Sequence, residues 1–280
     1  MRILVTGLSG FTGQYLRMGL ESNGHHVIGL QADLTSLGDT TSDVKKARPD
    51  AVIHLAGIAF VGHGNADSFY NVNIIGTRNL LLAIEHTSPN IKTVLLASSA
   101  NVYGDKTEGQ LTESATLNPI NDYAVSKLSM EHMSHLWSNR LPIIITRPFN
   151  YTGLGQSERF LIPKIISHFK RKANVIELGN IDISRDFGDV RSVSAAYKGL
   201  IESPPIGQTL NICTGRAYSL KHIVELCQNI TAHTIDIQIN PQFIRENEVR
   251  TLTGDPTLLR KTLPNWNAIP FTETLQWMLT

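Results

Sequence analysis

The sequence has few cysteines, no excess of either charge and no long hydrophobic run. Its two cysteines, Cys213 and Cys227, match neither a disulfide framework nor a metal-ligand pattern, which is typical of a reducing cytoplasm. The 25 basic and 24 acidic residues leave a net charge of +1, so neither nucleic acid nor a membrane is an expected partner. No apolar segment approaches membrane-spanning length, and the stretch 2–6 is too short for a signal peptide. We therefore predict a cytoplasmic globular protein.

Short, continuously apolar runs predict the strands of an α/β fold. They are Ile3–Val5, Val27–Ile28, Ala51–Ile53, Val94–Leu96 and Ile143–Ile145. Continuous apolarity, rather than alternation, is typical of parallel strands that are covered on both faces. Helix-length segments separate the runs, among them Phe11–Ser22 and about Asp122–Trp137. Alternating strands and helices over residues 1–150 predict a doubly wound parallel sheet.

After Asn150 this alternation ends, and proline and glycine are scattered among shorter pieces. We predict a smaller mixed α/β lobe over roughly 151–184 and 231–280. The intervening segment, roughly 185–230, is predicted to cross back to the first domain.

The first strand runs directly into a glycine-rich turn, Gly7-x-x-Gly10-x-x-Gly13, and then into a helix. Glycines let the backbone approach a pyrophosphate, and the helix start offers it free N–H groups and a positive dipole end. This arrangement predicts a dinucleotide site. An acidic residue about 20 residues further on usually holds the ribose, but here Gln31 is neutral and Asp33 lies late. The choice between NAD and NADP therefore stays open.

Tyr123 and Lys127 lie four residues apart, which places them on one face of a predicted helix. A nearby ammonium is expected to lower the pKa of the phenol, so that it can exchange a proton with a hydroxyl or a ketone. Ser99 follows a buried strand, at the edge where such sheets bind ligands, and can donate a second hydrogen bond to the same oxygen.

Taken together, these motifs resemble the extended short-chain dehydrogenase/reductase family, in its nucleotide-sugar branch, over nearly the full length. The resemblance rests on Gly7-x-x-Gly10-x-x-Gly13, His54-Leu55-Ala56-Gly57, Asn73-x-x-Gly76-Thr77-x-Asn79, Ser98–Gly104, Tyr123-x-x-x-Lys127 and Arg147-Pro148-Phe149-Asn150. It implies a Rossmann-type fold with a smaller substrate-binding lobe, and a homodimer. It also implies that Ser99, Tyr123 and Lys127 are the catalytic residues.

The same resemblance implies where the ligands bind. The residues implied to bind NADPH or NADH are Gly7, Gly10, Phe11, Thr12, Gly13, Asp33, Leu34, Leu55, Ala56, Gly57, Asn73, Tyr123, Lys127 and Pro148. The residues implied to bind the nucleotide sugar are Asn150, Lys164, Leu178, Asn180, Arg185, Arg245 and Glu248. Arginine suits a diphosphate because its planar fork can bind two oxygens at once.

Three positions narrow the reaction within the family. Dehydratases carry an acidic pair where this chain has Ala100 and Asn101, so elimination of water is not expected. Epimerase–reductases use a cysteine and a histidine where it has Asn101 and Phe160, so inversion at C3 and C5 is not expected either. What is left is hydride transfer at a single carbon.

We therefore expect NAD(P)H-dependent reduction of the C4 ketone of a nucleotide-linked 4-keto-6-deoxyhexose. Segments of the second lobe resemble relatives that convert GDP-4-keto-6-deoxy-D-mannose to GDP-D-rhamnose, which favours a GDP-linked substrate. Two alternatives stay open: a nucleotide-sugar 4-epimerase with tightly bound NAD, and a non-catalytic NAD(P) sensor. We predict no metal, because His132 and His135 have no evident third ligand and His54 follows an apolar strand as a core histidine does.

Overall fold

A computed structural model describes residues 1–57, 66–105, 109–244 and 249–280. The strands are β1 (Arg2–Thr6), β2 (His26–Gly29), β3 (Ala51–His54), β4 (Thr93–Ala97), β5 (Ile143–Pro148), β6 (Asn150–Thr152), β7 (Val175–Leu178), β8 (Ser184–Asp189), β9 (Thr209–Ile212), β10 (Ala217–Ser219), β11 (Asp236–Ile239) and β12 (Thr251–Leu252). The α-helices are α1 (Phe11–Glu21), α2 (Leu37–Ala47), α3 (Ala66–Tyr70), α4 (Thr77–Thr87), α5 (Asp122–Ser134), α6 (Leu161–Lys170), α7 (Val190–Glu202), α8 (Leu220–Thr231), α9 (Thr257–Thr262) and α10 (Phe271–Leu279). Within these ranges, no helix is long and apolar enough to cross a membrane.

Six parallel strands form the central sheet, in the order β2-β1-β3-β4-β5-β9. Side chains of a strand alternate between the two faces of a sheet. Ile3 and Val5 accordingly pack in one buried cluster, whereas Leu4 packs in a second cluster on the opposite face. The predicted α/β fold with a parallel sheet covered on both faces is confirmed.

The strand order places a crevice above β1 and β3. From β1 the chain first moves outward to β2 and then returns to the other side of β1 as β3. The loops that follow β1 and β3 therefore leave the sheet in opposite directions, and ligands of such folds bind at this switch point. The glycine-rich turn and residues 55–57 follow these two strands.

The remaining elements build a second layer. A small sheet joins β10, β8 and β12, with β6 paired to β8, and β7 pairs with β11. A third buried cluster lies among α6, α8 and α10. The packing departs from the predicted boundaries in two places, because α8 lies in this third cluster while Leu259 of α9 packs in the first one, against the central sheet. The division of the chain into domains stays a prediction.

Candidate active site

The turn after β1 is shaped for a close backbone approach. Gly7 has a φ of +71°, a conformation that residues with a side chain rarely adopt. A Cβ on Gly13 would lie 2.5 Å from the Gly7 carbonyl oxygen, so only glycine fits there. Helix α1 begins at Phe11, and its N-cap residue, Gly10, has no side chain that could accept a hydrogen bond from the first turn. The N–H groups of residues 11–13 thus begin the helix without a side-chain acceptor, as a pyrophosphate site requires.

His54 is a structural histidine at the end of β3. Its Nδ1 lies 2.7 Å from the Thr6 hydroxyl and its Nε2 lies 2.8 Å from the Thr77 hydroxyl. The Thr6 hydroxyl also accepts the N–H of Ala56, so this chain of bonds holds the segment after β3 in place. Burial lowers the pKa of His54 to about 3, and the ring is neutral. The prediction of a hydrogen-bonded core histidine is confirmed.

Asn73 presents an unpaired oxygen to the crevice. It lies in a π-helical turn, Asn71–Gly76, and its amide donates to the Ser126 hydroxyl at 2.9 Å. Its Oδ1 is buried and has no hydrogen-bond partner among the described residues. A Cβ on Gly57 would lie 2.8 Å from this oxygen and 3.1 Å from Lys127 Nζ. The Asn73 oxygen, an acceptor, and the Lys127 ammonium, a cation, therefore both lie beside the space that Gly57 leaves open. This pair of groups fits the hydroxyl-bearing ribose of a dinucleotide.

The predicted catalytic residues lie where β4 ends and α5 begins. Ser99 follows β4, Tyr123 and Lys127 lie in the first half of α5, and each of the three is less than 10% exposed. Lys127 Nζ donates to the Ala97 carbonyl at 2.9 Å. The Ser99 hydroxyl accepts both the backbone and the side-chain N–H of Asn101, each at 3.2 Å. With its oxygen occupied by two donors, Ser99 directs its own proton to the Tyr123 hydroxyl, to which it is hydrogen-bonded.

The predicted lowering of the phenol pKa by lysine is wrong. Burial raises the pKa of Tyr123 to about 12, and the hydrogen bond from Ser99 opposes this only in part. Burial also lowers the pKa of Lys127 to about 8, against the opposing charge of Glu131. In both groups the cost of burying the charged form is the largest cause of the shift. Tyr123 is thus a protonated phenol at neutral pH, suited to donate a proton.

A buried ion pair lies beneath these residues, and it was missed by the sequence reasoning. Arg147 of β5 contacts Glu131 of α5 at 2.6 Å, and the Ser98 hydroxyl donates to Glu131 at 2.5 Å. Arg147 also donates to the Tyr103 hydroxyl at 3.0 Å. Because Ser98 precedes Ser99 and Glu131 lies one turn after Lys127, the pair ties β4 and β5 to α5. An arginine inside an apolar strand was the signal available in the sequence.

The segment after β2, predicted to lie near the adenine, is exposed. The N–H groups of Gln31 and of the next residue donate to Asp43 at 3.0 and 2.9 Å. Asp33 is exposed, and hydrogen bonds from Thr35 hold the pKa of its carboxyl below the ordinary value. Leu34 points inward and is buried. In the described part of this segment no arginine is available for a 2′-phosphate.

Several predicted sugar-binding residues are engaged inside the second lobe. Lys164 Nζ donates to the Glu177 carbonyl at 2.7 Å and lies 4.2 Å from the centre of the Phe243 ring. Leu178 is buried in β7. The role of these two residues in binding stays a prediction.

The other predicted residues differ in position. Asn150 is exposed at the start of β6, directly after Phe149 and the end of β5 at Pro148. Asn180 accepts the N–H of Asp182 at 3.0 Å.

Arg185 of β8 donates to the Ser184 carbonyl at 2.9 Å. Arg245 and Glu248 lie outside the described residues.

Over the ranges that the structure describes, no group of three or more histidine, cysteine or acidic side chains could hold a metal ion. The expected absence of a metal stays a prediction.

The fold and the site together define an NAD(P)-dependent oxidoreductase, an enzyme built on a Rossmann-type sheet. Residues 3–213 match the NAD dependent epimerase/dehydratase family, and the chain belongs to that family. The resemblance drawn from the motifs is confirmed, as is the NAD(P) cofactor.

Two curated relatives and one solved structure show which members of the family the chain is similar to. GDP-6-deoxy-D-talose 4-dehydrogenase of Aggregatibacter actinomycetemcomitans is 40% identical over 95% of this chain and 92% of its own length. GDP-6-deoxy-D-mannose reductase of Pseudomonas aeruginosa is 34% identical over 93% of this chain and 90% of its own. The structure of RMD from Pseudomonas aeruginosa complexed with NADPH matches with a TM-score of 0.90 and 31% identity, over 100% of this chain and 96% of that one.

Proposed function

We propose that this enzyme reduces the C4 ketone of GDP-4-keto-6-deoxy-D-mannose to GDP-D-rhamnose, with NADPH or NADH. The names of its two relatives support the substrate, because 6-deoxytalose and 6-deoxymannose differ only at C4. Oxidation of either at C4 yields the same 4-keto sugar. One observation carries the reaction type: Tyr123 and Lys127 are buried one turn apart on α5, with the buried Ser99 hydroxyl bonded to Tyr123.

The residues divide the reaction between them. When bound, the reduced dinucleotide supplies a hydride to C4, and the electron pair of the carbonyl π bond moves to the oxygen. Tyr123 gives its proton to that oxygen, so that a hydroxyl forms and a phenolate is left. Lys127 stabilises the phenolate by its charge and binds the ribose. When the ketone binds, Ser99 redirects its single proton from Tyr123 to the ketone oxygen and so orients it.

A second candidate product differs from GDP-D-rhamnose, which is GDP-6-deoxy-D-mannose, only in its configuration at C4. The 40% identity to a GDP-6-deoxy-D-talose 4-dehydrogenase favours GDP-6-deoxy-D-talose, formed by hydride attack on the opposite face of the same ketone. Proton NMR of the product separates the two, since the coupling between the protons on C3 and C4 depends on the configuration at C4.

The test of the reaction is consumption of reduced cofactor with GDP-4-keto-6-deoxy-D-mannose. Tyr123→Phe is expected to lower turnover about 10²- to 10⁴-fold, because the phenol is the proton donor, while dinucleotide binding is kept. Tyr218→Phe, a change of the same kind in β10, is the control and should retain turnover. Near-normal turnover by Tyr123→Phe would sink the proposal.

The amount of reduced cofactor consumed distinguishes a 4-epimerase from the proposed reductase. An epimerase oxidises and re-reduces the same carbon, so it would be purified with stoichiometric NAD and show no net consumption of reduced cofactor. A sensor would bind NADPH without binding any nucleotide sugar. We also propose a cytoplasmic homodimer without a nucleic-acid partner, on the basis of the composition and the family resemblance; light scattering tests the dimer.

A further inference from the structure

Tyr151 of β6 is bonded to the glycine-rich turn. Its hydroxyl lies 2.8 Å from the hydroxyl of Thr12, in the first turn of α1. Its ring stacks on that of Phe11, with the ring centroids 6.3 Å apart and the planes 12° from parallel. These contacts join residues 139 positions apart in the chain at the place where the pyrophosphate is expected.

The same phenol lies near Tyr123. Tyr151 is close enough to Tyr123 to raise the pKa of its hydroxyl, after the larger effects of burial and of Ser99. Tyr151 is partly buried against the first cluster, and burial raises its own pKa. Tyr151 thus contacts the helix start that is expected to receive the phosphates and lies within electrostatic range of the phenol proposed to serve the ketone. A phosphate held beside Tyr151 would be the one on the nicotinamide side.

The backbone holds Tyr151 in this place. In the pairing of β6 with β8, Tyr151 lies opposite Gly188. Gln156 donates its side-chain amide to the Tyr151 carbonyl at 3.3 Å. Because the strand pairing, the ring stack and the Thr12 contact all restrain the side chain, its hydroxyl is preorganised and loses little freedom when a ligand binds.

We infer that Tyr151 is a cofactor-positioning residue whose hydroxyl, oriented by Thr12, donates a hydrogen bond to the nicotinamide-side phosphate of the bound dinucleotide. A hydroxyl that donates to an anion makes a charge-assisted bond, which is stronger than a bond between neutral groups. Thr12 donates its proton to the Tyr151 oxygen, which leaves the single proton of Tyr151 for the phosphate and adds it to the row of N–H donors at the start of α1. This inference rests on the proposed use of a dinucleotide.

The test is the affinity of Tyr151→Phe for NADPH and for 5′-AMP, measured by calorimetry. Loss of one charge-assisted bond is expected to weaken NADPH binding about 10- to 100-fold. Binding of 5′-AMP, which carries only the adenosine half, should change less than twofold. A purely structural role would weaken both ligands together. In turnover, the KM for NADPH should rise while kcat at saturating NADPH stays within about threefold.

Tyr15→Phe is the matched control. Tyr15 also lies on α1, and its hydroxyl donates to the Leu154 carbonyl at 2.7 Å, away from the turn. It should bind NADPH as the unchanged enzyme does. If Tyr151→Phe lowers the melting temperature, Thr12→Val serves as the second variant and should weaken NADPH binding several-fold.

NADPH binding by Tyr151→Phe that equals that of the unchanged enzyme would overturn this inference alone. Failure of the unchanged enzyme to bind NADPH or NADH would overturn the proposed function as well.

Discussion

At the end of the site where we propose that the nicotinamide binds, Ser99, Tyr123 and Lys127 are each less than 10% exposed. At the end predicted to hold the adenosine, Gln31 and Asp33 are exposed to solvent. Charges and hydrogen bonds act strongly where water is excluded and are screened where it is present. We therefore expect the chemistry to depend on the buried end and the discrimination between NAD and NADP to depend on weaker, exposed interactions. The same kind of substitution should therefore change stability or activity much more at the buried end than at the exposed end.

The largest effect is expected at the buried ion pair beneath the catalytic residues. Glu131→Gln leaves Arg147 as an uncompensated buried charge, and removing one partner of such a pair costs about 3–5 kcal/mol. Urea unfolding measures the loss. Glu21→Gln is the control, because the Arg17–Glu21 pair is half exposed and should contribute about 0.3–0.5 kcal/mol. Similar losses for the two variants would contradict the comparison.

An intermediate effect is expected from pH. The pKa of Lys127 is about 8 in the folded enzyme, so its ammonium is lost as the pH rises through this value. The kcat/KM for NADPH should then fall, by about tenfold for each pH unit above the break, because this parameter follows the free enzyme. Lys127→Met should retain only a low kcat/KM, and this residual activity should lack the break. A profile that stays flat to pH 10 would contradict the role of the ammonium.

The same shift has the opposite sign for stability. The folded-state pKa of about 8 lies below the ordinary value of 10.5, so between these pH values the unfolded chain binds the extra proton. The contribution of Lys127 to the free energy of unfolding therefore rises with pH across this window. Activity and stability are thus expected to change in opposite directions above pH 8.

The smallest effect is expected at the exposed end. Asp33→Asn removes a carboxylate that is predicted to lie near the adenosine and to repel a 2′-phosphate. The ratio of the Kd values for NADH and NADPH should shift roughly two- to fivefold in favour of NADPH, the size of an exposed charge interaction. Asp39→Asn, an exposed change in the first turn of α2, is the control and should leave the ratio unchanged. A shift of tenfold or more would contradict the comparison, because it exceeds the effect of an exposed charge.

Local patterns predicted much of the fold. The apolar runs of β1, β3, β4 and β5 are strands because burial on both faces selects continuous apolarity. Helix α5 also forms where it was predicted, although its last turn, His135–Trp137, is a 3₁₀ turn. The lobe after residue 150 was harder to predict, since α8 and α9 pack against different clusters with no local signal of which one.

By itself, the sequence determined the glycine turn, the helix that pairs Tyr123 with Lys127 and the strand end that carries Ser99. Each depends on neighbours within a few residues, so spacing and residue type suffice. Only the tertiary structure decided the direction of the Tyr123 pKa shift and the contact of Tyr151 with Thr12. Burial and contacts between distant segments exist only once the chain is folded. The lysine was expected to lower the pKa of the phenol, and the pKa is raised instead because the fold removes the phenol from water.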